Sequence, residues 1–511
     1  MSQEETKQME QEQIEEQEIQ EIKEEEKVEE EKKEEQNQGI KRQQKEKKQP
    51  QENLRKKHPY TGVVEKVEFG GDGIVMLRDN RVKISNVIEG QKVEFQVYKF
   101  RRGKSQGGLI KILEKSPLED VEDICLHNND CGGCLYQSMG YQHQIKMKEK
   151  QILELFKKNK IEDFEFKGIK QSPTTVGYRN RMDFTFGDGY KGGPLELGLH
   201  KMFHFNDVVT VTDCRIVEKD FTKLMEFTRD YFREKGMKHF HKMTHEGYLR
   251  YLLVRKGKKT GEIMYCIITR SNQEFDFTEL KEKLLAMELD GKLTSILHGI
   301  YDNPSDVVTA EKLEVLHGND YITEELLGLK FKITPFSFFQ TNSDGAEVLY
   351  QTVRDYIKEM ECETIFDLYS GTGTITQIIA PICKKIIGVE INEEAVKAAR
   401  INAELNGLTT CEFRANDVGK ELDYMLKDKP ELIILDPPRT GIHPQAIDKI
   451  CRFGAEKIVY VSCMPTTLCR DLLIMNEKGY KLKSVTLVDM FPHTTHVETV
   501  CLLEKVEKEK K

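Results

Sequence analysis

The feature that most constrains the fold is a regular alternation of short apolar runs and longer amphipathic stretches that begins after Glu361. The apolar runs are Ile365–Tyr369, Lys385–Glu390, Glu431–Leu435 and Lys457–Ser462, and the helical stretches are Asn392–Asn406, Pro444–Phe453 and Thr466–Asn476. Short apolar strands that alternate with helices form βαβ units, in which helices cover both faces of a parallel sheet. The sequence therefore predicts a doubly wound, Rossmann-like α/β domain at its C-terminal end.

Residues 60–113 have a different pattern, in which short runs, most of them alternating apolar and polar residues, are separated by glycine and asparagine turns. Several short strands at this close spacing predict a small OB-like β-barrel. The last part interleaves Tyr98 and Phe100 with lysines and arginines. Basic side chains hold phosphates and aromatic faces stack bases, so this part suits RNA binding, although an ordinary solvated edge strand explains it equally well.

These changes of pattern divide the chain into four regions. We expect a charged leader at 1–57, the barrel at 58–115, a mixed α+β central domain at 116–334 and the α/β domain at 335–511. The leader is almost entirely Glu, Gln, Lys and Arg, and it is expected to be disordered because it cannot bury enough apolar surface to offset its ordering entropy. Residues 1–50 carry seven of the nine net negative charges. The remainder is nearly neutral, so an RNA partner requires local basic patches.

The sequence excludes membrane insertion and secretion. No apolar run approaches the roughly 18 residues that a spanning helix needs, and the N-terminus lacks the apolar core of a signal peptide. We therefore expect a cytoplasmic protein without a membrane partner. No feature indicates an obligate protein partner, and a monomer is expected.

Three cysteines, Cys125, Cys131 and Cys134, lie within ten residues, and Cys214 lies in a polar segment. Twelve cysteines in a chain without secretion features favour thiolate chemistry or metal binding over disulfides. Clustered thiolates on a glycine-containing loop can hold one metal centre, and the glycines leave room for backbone amides near the sulfurs. Spacing alone does not distinguish an iron–sulfur cluster from a tetrathiolate zinc ion.

A glycine-rich turn, Gly371-Thr-Gly373, follows the first apolar strand of the α/β region. Glu390 ends the next strand about twenty residues later, where a carboxylate can accept both hydroxyls of a ribose. Asp417 ends the third strand and can lie near an adenine amine. NAD fits these features almost as well, but the third glycine of the dinucleotide fingerprint is missing, which favours a ligand without a pyrophosphate, such as S-adenosylmethionine.

Two further segments complete a chemical centre. Cys463 follows the strand that ends at Ser462, and a segment with His493, His496 and Glu498 precedes another apolar strand. A thiol, a carboxylate and a methyl-sulfonium pocket suit covalent methylation of an unreactive pyrimidine carbon. Cys463 would add to C6 of uracil, and Glu498 would remove the C5 proton. The two histidines are alternative bases, and a buried apolar cysteine is the alternative reading of Cys463.

Together these motifs resemble the bacterial RNA uracil-5-methyltransferase family, and most closely its 23S ribosomal RNA branch, from about Tyr60 to Glu504. The barrel is similar to a TRAM domain. The resemblance implies a [4Fe–4S] cluster on Cys125, Cys131, Cys134 and Cys214. It implies that Cys463 is the nucleophile and Glu498 the base. The positions that match contacts to S-adenosylmethionine are Gln340, Tyr369, Thr374, Glu390, Asp417 and Asp436.

The sequence departs from the family at Met464, where the family usually has asparagine. Transfer-RNA enzymes of the family generally lack the barrel and the cysteine set, so their presence favours 23S ribosomal RNA as the partner over transfer RNA. Two alternatives stay open: the same chemistry on transfer RNA, and a non-catalytic RNA-binding or ribosome assembly factor that retains a decayed pocket.

Overall fold

The computed structural model describes residues 58–506 except 78–79, 102–103, 129, 359, 361 and 425–428. The expected disordered leader at 1–57 lies outside these residues. The chain forms two units, Met1–His58 and Pro59–Lys511, and every helix and strand named below lies in the second. None of the helices in the described ranges combines the length and apolarity that a membrane crossing requires.

The described residues form several separate sheets, with helices between some of the strands. The strands are β1 Pro59–Glu68, β2 Asp72–Leu77, β3 Asn80–Ser85, β4 Lys92–Arg101, β5 Lys104–Glu114, β6 Glu165–Lys170, β7 Arg181–Asp188, β8 Leu195–Lys201, β9 His204–Val209, β10 Leu249–Lys256, β11 Glu262–Thr269, β12 Lys292–Ile300, β13 Lys312–Gly318, β14 Ile322–Leu326, β15 Leu329–Ile333, β16 Thr364–Leu368, β17 Lys385–Glu390, β18 Cys411–Ala415, β19 Leu432–Leu435, β20 Lys457–Ser462, β21 Tyr480–Val488 and β22 Glu498–Lys505. The α-helices are α1 Tyr141–Lys158, α2 Lys219–Glu234, α3 Thr278–Leu285, α4 Ser343–Lys358, α5 Thr374–Ile379, α6 Glu393–Leu405, α7 Val418–Tyr424, α8 Pro444–Phe453 and α9 Pro465–Glu477.

The first five strands close into a barrel in the order β1-β2-β3-β5-β4, with β4 pairing back onto β1. Alternate side chains of these strands point inward, and Val75, Val82, Val93 and Phe95 are fully buried in its core. The period-two pattern therefore produces the expected barrel, because one face of each strand is withdrawn from water.

The middle of the chain folds as a seven-stranded sheet in the order β13-β12-β11-β10-β7-β8-β9, with β14 and β15 as a separate hairpin. Strand β10 is buried on both faces. Helices α2 and α3 supply Phe221, Leu224 and Leu280 to the core on one face. The arrangement is the expected mixture of helices with a largely antiparallel sheet.

The C-terminal part forms an eight-stranded sheet in the order β18-β17-β16-β19-β20-β22-β21-β6. Strands β16 to β20 are parallel, which confirms the predicted α/β fold, and helices cover both faces. Strands β21 and β22 are antiparallel additions. Strand β6 joins this sheet although it comes from the region expected to be a central domain. Sheet pairing therefore crosses the predicted boundary at 334/335, which stays a prediction.

Candidate active site

The glycine turn after β16 is the segment expected to bind the cofactor. Its two glycines differ in what a side chain at each position would contact. Tyr369, Gly371 and Gly373 all have positive φ angles, of 67°, 55° and 70°. A Cβ atom on Gly373 would lie 2.5 Å from the ring of Phe413, so packing requires this glycine. A Cβ atom on Gly371 would meet only Phe338, at 3.9 Å. A ligand can therefore approach the backbone at Gly371.

Two of the predicted cofactor-binding carboxylates lie at the carboxyl ends of the neighbouring strands β17 and β18. The Oε2 and Oε1 atoms of Glu390 accept hydrogen bonds from the N–H groups of Gly371 at 3.0 Å and Asn392 at 2.9 Å. Asp417 is exposed, and its Oδ1 accepts from the N–H of Lys420 at 3.1 Å at the start of α7. Each carboxylate oxygen has capacity for a further hydrogen bond. Both residues can therefore hold the backbone and still bind a ligand.

Gln340 and Thr374, two more of the six predicted contacts, lie on two segments that are tied together. The Thr372 hydroxyl donates to the carbonyl of Phe338 at 3.2 Å and lies 3.4 Å from the hydroxyl of Thr374. The Gln340 side chain hydrogen-bonds with the hydroxyl of the fully buried Tyr350. Residues 338–340 are thereby held against the glycine turn.

Arg255 on β10 supports the same segment, and the sequence analysis did not single it out. Its guanidinium donates to the carbonyls of Pro335, at 3.2 Å, and Ser337. Burial lowers the pKa of Arg255 to about 9, and the nearby charge of Arg181 adds to the shift. A buried arginine gives no periodic signal in a sequence, so only the fold reveals this role.

Three carboxyl groups cluster at the strand ends below the turn. Burial raises the pKa of Asp367 to about 7, and that of Asp436 to about 7 with repulsion from Asp367 as a further cause. Glu498 is only 4% exposed. Burial and the charge of Asp436 raise its pKa to about 8. The cluster is therefore poised to exchange protons near neutral pH.

Strand register places Cys463 beside Glu498. Ser462 at the end of β20 faces Thr499 on the antiparallel β22, so Cys463, which follows β20, comes next to Glu498, the first residue of β22. Burial raises the pKa of the Cys463 thiol to about 11, and the charge of Glu498 is the next largest cause. A hydrogen bond from Arg439 lowers it. The structure thus brings together the thiol and carboxylate that the sequence analysis selected, and it adds Arg439.

Met464 gives α9 no side-chain cap at its N-terminus. The backbone N–H of Met464 instead donates to the hydroxyl of Ser462 at 3.2 Å. Asparagine, which the family usually has there, is among the best N-cap residues. Met464 therefore leaves α9 without a side-chain cap next to Cys463.

His493 is held by its neighbours on both ring nitrogens. Its Nδ1 accepts from the Gln144 amide at 3.1 Å, and its Nε2 donates to the carbonyl of Thr175 at 3.0 Å. Burial lowers the pKa of His493, as it does that of His496. A neutral ring with both nitrogens engaged has no free lone pair to accept a proton. Of the two alternative bases, His496 alone has ring nitrogens without a hydrogen bond among the described residues, and its ring lies edge-on to that of Phe491.

The segment that leads to Glu498 is anchored to the cysteine-bearing loop and to α1. The carbonyl of His493, which has a φ of 66°, accepts from the N–H groups of Leu135 at 2.8 Å and Tyr136 at 3.0 Å. The Gln144 side chain accepts from the N–H of His493 at 2.8 Å. These contacts fix the segment immediately before Glu498, and the loop that follows Cys134 takes part in them.

A buried ion pair holds the start of the same segment. The Lys148 ammonium on α1 donates to the Asp489 carboxylate at 2.7 Å, and both side chains are fully buried. Lys148 also donates to the carbonyl of Phe491 at 3.1 Å. Burial lowers the pKa of Lys148, and the charge of Asp489 opposes that shift.

The four cysteines of the predicted metal set come together in space. Burial raises the pKa of Cys214 to about 12, and the charges of Cys134, Cys125 and Cys131 add to the shift. The N–H groups of His127 and Gly133 point at the sulfurs of Cys125 and Cys131, each at 3.4 Å. All twelve cysteines are free thiols. Within the described ranges, no three His, Cys, Asp or Glu side chains are arranged to hold a metal ion.

Comparison with known proteins identifies the family of this chain. Residues 140–506 match the family described as tRNA (uracil-5-)-methyltransferase. The chain is 47% identical over 442 residues to an uncharacterised RNA methyltransferase of Caldanaerobacter subterraneus subsp. tengcongensis, covering 86% of this chain and 98% of that protein. It is 46% identical over 452 residues to an uncharacterised RNA methyltransferase of Clostridium tetani, covering 88% and 99%.

One solved structure that is similar to this chain contains a bound ligand. The tRNA (uracil-54, C5)-methyltransferase of Pyrococcus abyssi, in complex with S-adenosyl-L-homocysteine, superposes with a TM-score of 0.68 at 28% identity, over 87% of this chain and all of that one. The expected cofactor, S-adenosylmethionine, is therefore supported. The chain belongs to the tRNA (uracil-5-)-methyltransferase family and is an S-adenosylmethionine-dependent RNA methyltransferase.

Proposed function

We propose that this enzyme methylates C5 of uracil in 23S ribosomal RNA through a covalent adduct between Cys463 and C6 of the base. The observation that carries the proposal is the pairing of β20 with β22, which sets the thiol of Cys463 next to the buried carboxyl of Glu498. Methylation of a ring nitrogen needs no nucleophilic thiol, whereas methylation of C5 does, because the carbon is not nucleophilic until C6 is attacked.

The chain's own residues perform three steps. The sulfur of Cys463 bonds to C6, and the electron pair of the C5–C6 double bond moves to C5 and the adjoining carbonyl. C5 would then take the methyl group of S-adenosylmethionine, whose methyl–sulfur bond breaks to leave S-adenosylhomocysteine. Glu498 removes the remaining C5 proton, the double bond re-forms, and the bond between sulfur and C6 breaks, which returns the thiolate.

The protonation states of the free enzyme fit a site that is activated by its ligands. With a pKa of about 11 for Cys463 and about 8 for Glu498, both groups are mostly protonated at pH 7. S-adenosylmethionine supplies the electrophilic methyl group and a sulfonium charge, which lowers the pKa of acidic groups near it. Arg439 already lowers the pKa of both residues.

We further propose, from the family resemblance, a [4Fe–4S] cluster held by Cys125, Cys131, Cys134 and Cys214, although the described side chains are not arranged around a metal ion. Four thiols within reach of one another's charge, with N–H groups aimed at two sulfurs, are the donors that such clusters use. The contacts between His493 and the following loop support a structural role for the cluster, because they join that loop to the segment before Glu498.

Metal analysis tests the cluster directly. Protein purified without oxygen is expected to be brown and to contain iron, and Cys131→Ser is expected to lose both. A colourless protein with stoichiometric zinc would contradict the iron assignment.

Transfer RNA is the second candidate substrate, and one observation favours it. The Pyrococcus abyssi protein, a tRNA (uracil-54, C5)-methyltransferase, aligns with 87% of this chain. The aligned share is larger than the predicted central and α/β regions together, so the alignment includes residues that precede the central region. The barrel is therefore compatible with either RNA as substrate. The 23S substrate is supported by the resemblance of the barrel and the cysteine set to the ribosomal branch.

Mapping of 5-methyluridine separates these functions. Mass spectrometry of 23S and transfer RNA from cells with and without the gene is expected to lose one or more 23S positions in the deletion strain. Loss only from transfer RNA would sink the ribosomal substrate. Absence of any change, together with no transfer of tritiated methyl to either RNA by purified enzyme, would revive the non-catalytic RNA-binding factor.

A further inference from the structure

The turn between β8 and β9 carries an aromatic ring on an unfavourable backbone. Phe203 has a φ of 64° and is 64% exposed. A positive φ in such a turn favours glycine or asparagine, because a side chain there crowds its own backbone. A ring that remains mostly in water gains little from burial, so packing does not offset the strained backbone. An outlier of this kind points to a function for the ring.

The Phe203 turn lies where three parts of the protein meet. The N–H of Met202 donates to the carbonyl of Asp130 at 2.7 Å, and Lys201 forms a β-bridge with Cys131 of the cysteine-bearing loop. From the barrel, the Asn86 amide contacts the sulfur of Met202 at 3.6 Å. The turn is therefore fixed on both sides, and Phe203 projects from a rigid support.

We propose that Phe203 is a stacking site for an unpaired base of the substrate RNA, distinct from the base that is methylated. Exposed aromatic faces on rigid supports bind single-stranded bases by stacking, and Lys201 next to the turn can hold a phosphate. The inference rests on the proposed RNA substrate and adds a second contact to it.

The cysteine-bearing loop relates this site to the active site. Asp130 contacts the Phe203 turn, whereas Leu135 contacts His493 in the segment before Glu498. Five residues of chain span at most about 18 Å. This limit applies to the separation of Asp130 and Leu135, and we place the stacked base on the side of the target uracil where the cysteine-bearing loop lies, so that the site favours substrates that are unpaired on that side.

Binding of two RNA probes to the full-length protein tests the site. The probes are a fluorescent 12-nucleotide single-stranded RNA and the same strand with abasic riboses, and anisotropy reports affinity. Phe203→Gly is expected to weaken binding of the base-bearing strand about tenfold, without effect on the abasic strand. Its melting temperature should equal or exceed that of the wild type, because glycine adopts positive φ freely.

Tyr190 provides a matched control. It is 65% exposed and follows β7, so β8 separates it from the Phe203 turn. Tyr190→Ala should bind both strands as the wild type does, and Phe203→Trp should restore the affinity that Phe203→Gly loses.

Three outcomes would overturn the proposal. Phe203→Gly could bind the base-bearing strand as tightly as the wild type while methyl transfer proceeds, in which case only the stacking site fails. Equal losses on both strands would show that the turn acts through phosphates. If the wild type bound neither strand, the stacking site and the RNA substrate would fail together.

Discussion

The carboxyl of Glu498 lies beside the thiol of Cys463 because Ser462 and Thr499 face each other across antiparallel β20 and β22. The charge of Glu498 adds to burial in raising the pKa of Cys463. In turn, Asp436 adds to burial in raising the pKa of Glu498. The strand pairing thus brings the candidate catalytic pair together, while burial and the neighbouring carboxyl groups raise the pKa of both members.

The steady-state rate of turnover is expected to increase with pH between about 6 and 9. The carboxylate form of Glu498 accepts the C5 proton, and with a pKa raised to about 8 its population grows over this range. The thiolate fraction of Cys463 changes in the same direction, because its pKa is about 11. Values of kcat at saturating RNA and methyl donor, with the melting temperature followed at each pH, measure this dependence. A rate that is flat or falls from pH 7 to 9 would contradict it.

Loss of the buried Lys148 charge is expected to destabilise the fold. Lys148→Met leaves Asp489 as an uncompensated buried carboxylate, which costs about 3–5 kcal/mol. Lys150→Met is the matched control, because Lys150 lies on the same helix and forms an exposed pair with Glu89 at 3.1 Å. That pair should contribute at most about 1 kcal/mol. Denaturant unfolding compares the two variants, and equal losses would disprove the buried pair's importance.

Gln144 is expected to be a positioning residue for the segment before Glu498. Gln144→Leu removes both hydrogen bonds to His493 and should lower kcat at least about tenfold, with little change in KM for RNA. Gln142→Leu is the control, because its exposed side chain bonds only Gln171 among the contacts that the structure gives it. A rise in KM without a loss of kcat would instead place Gln144 in RNA binding.

Local sequence patterns predict the strands and helices of this fold better than they predict which of these elements contact one another. The runs beginning at Ile365, Lys385 and Lys457 become strands because each is a buried apolar segment between helices. The sequence signal for each of these strands lies within a few neighbouring residues. The glycine turn was also predicted, although Gly373 is explained by the ring of Phe413, which lies on a different strand.

Contacts between distant segments leave no such signal. Strand β6 joins the C-terminal sheet through β21, and Lys148 finds its partner in Asp489. Neither pairing can be deduced from periodicity, because register between remote strands and the partner of a buried charge depend on the whole fold. For the same reason the sequence left His493 open as a base, and only its hydrogen bonds to Gln144 and Thr175 argue against that role.

The most direct test of the mechanism is the capture of the RNA–protein adduct in the Glu498→Gln variant. Addition of Cys463 and methyl transfer both precede proton removal, so the amide should permit them and block release of the thiol. Denaturing gels of Glu498→Gln incubated with RNA and tritiated methyl donor should show a shifted, labelled protein band, and Cys463→Ala should show neither band nor methylation. Normal turnover by Glu498→Gln, with the labelled adduct appearing in His496→Ala, would assign the base to His496. Methylation by Cys463→Ala would contradict the covalent mechanism itself.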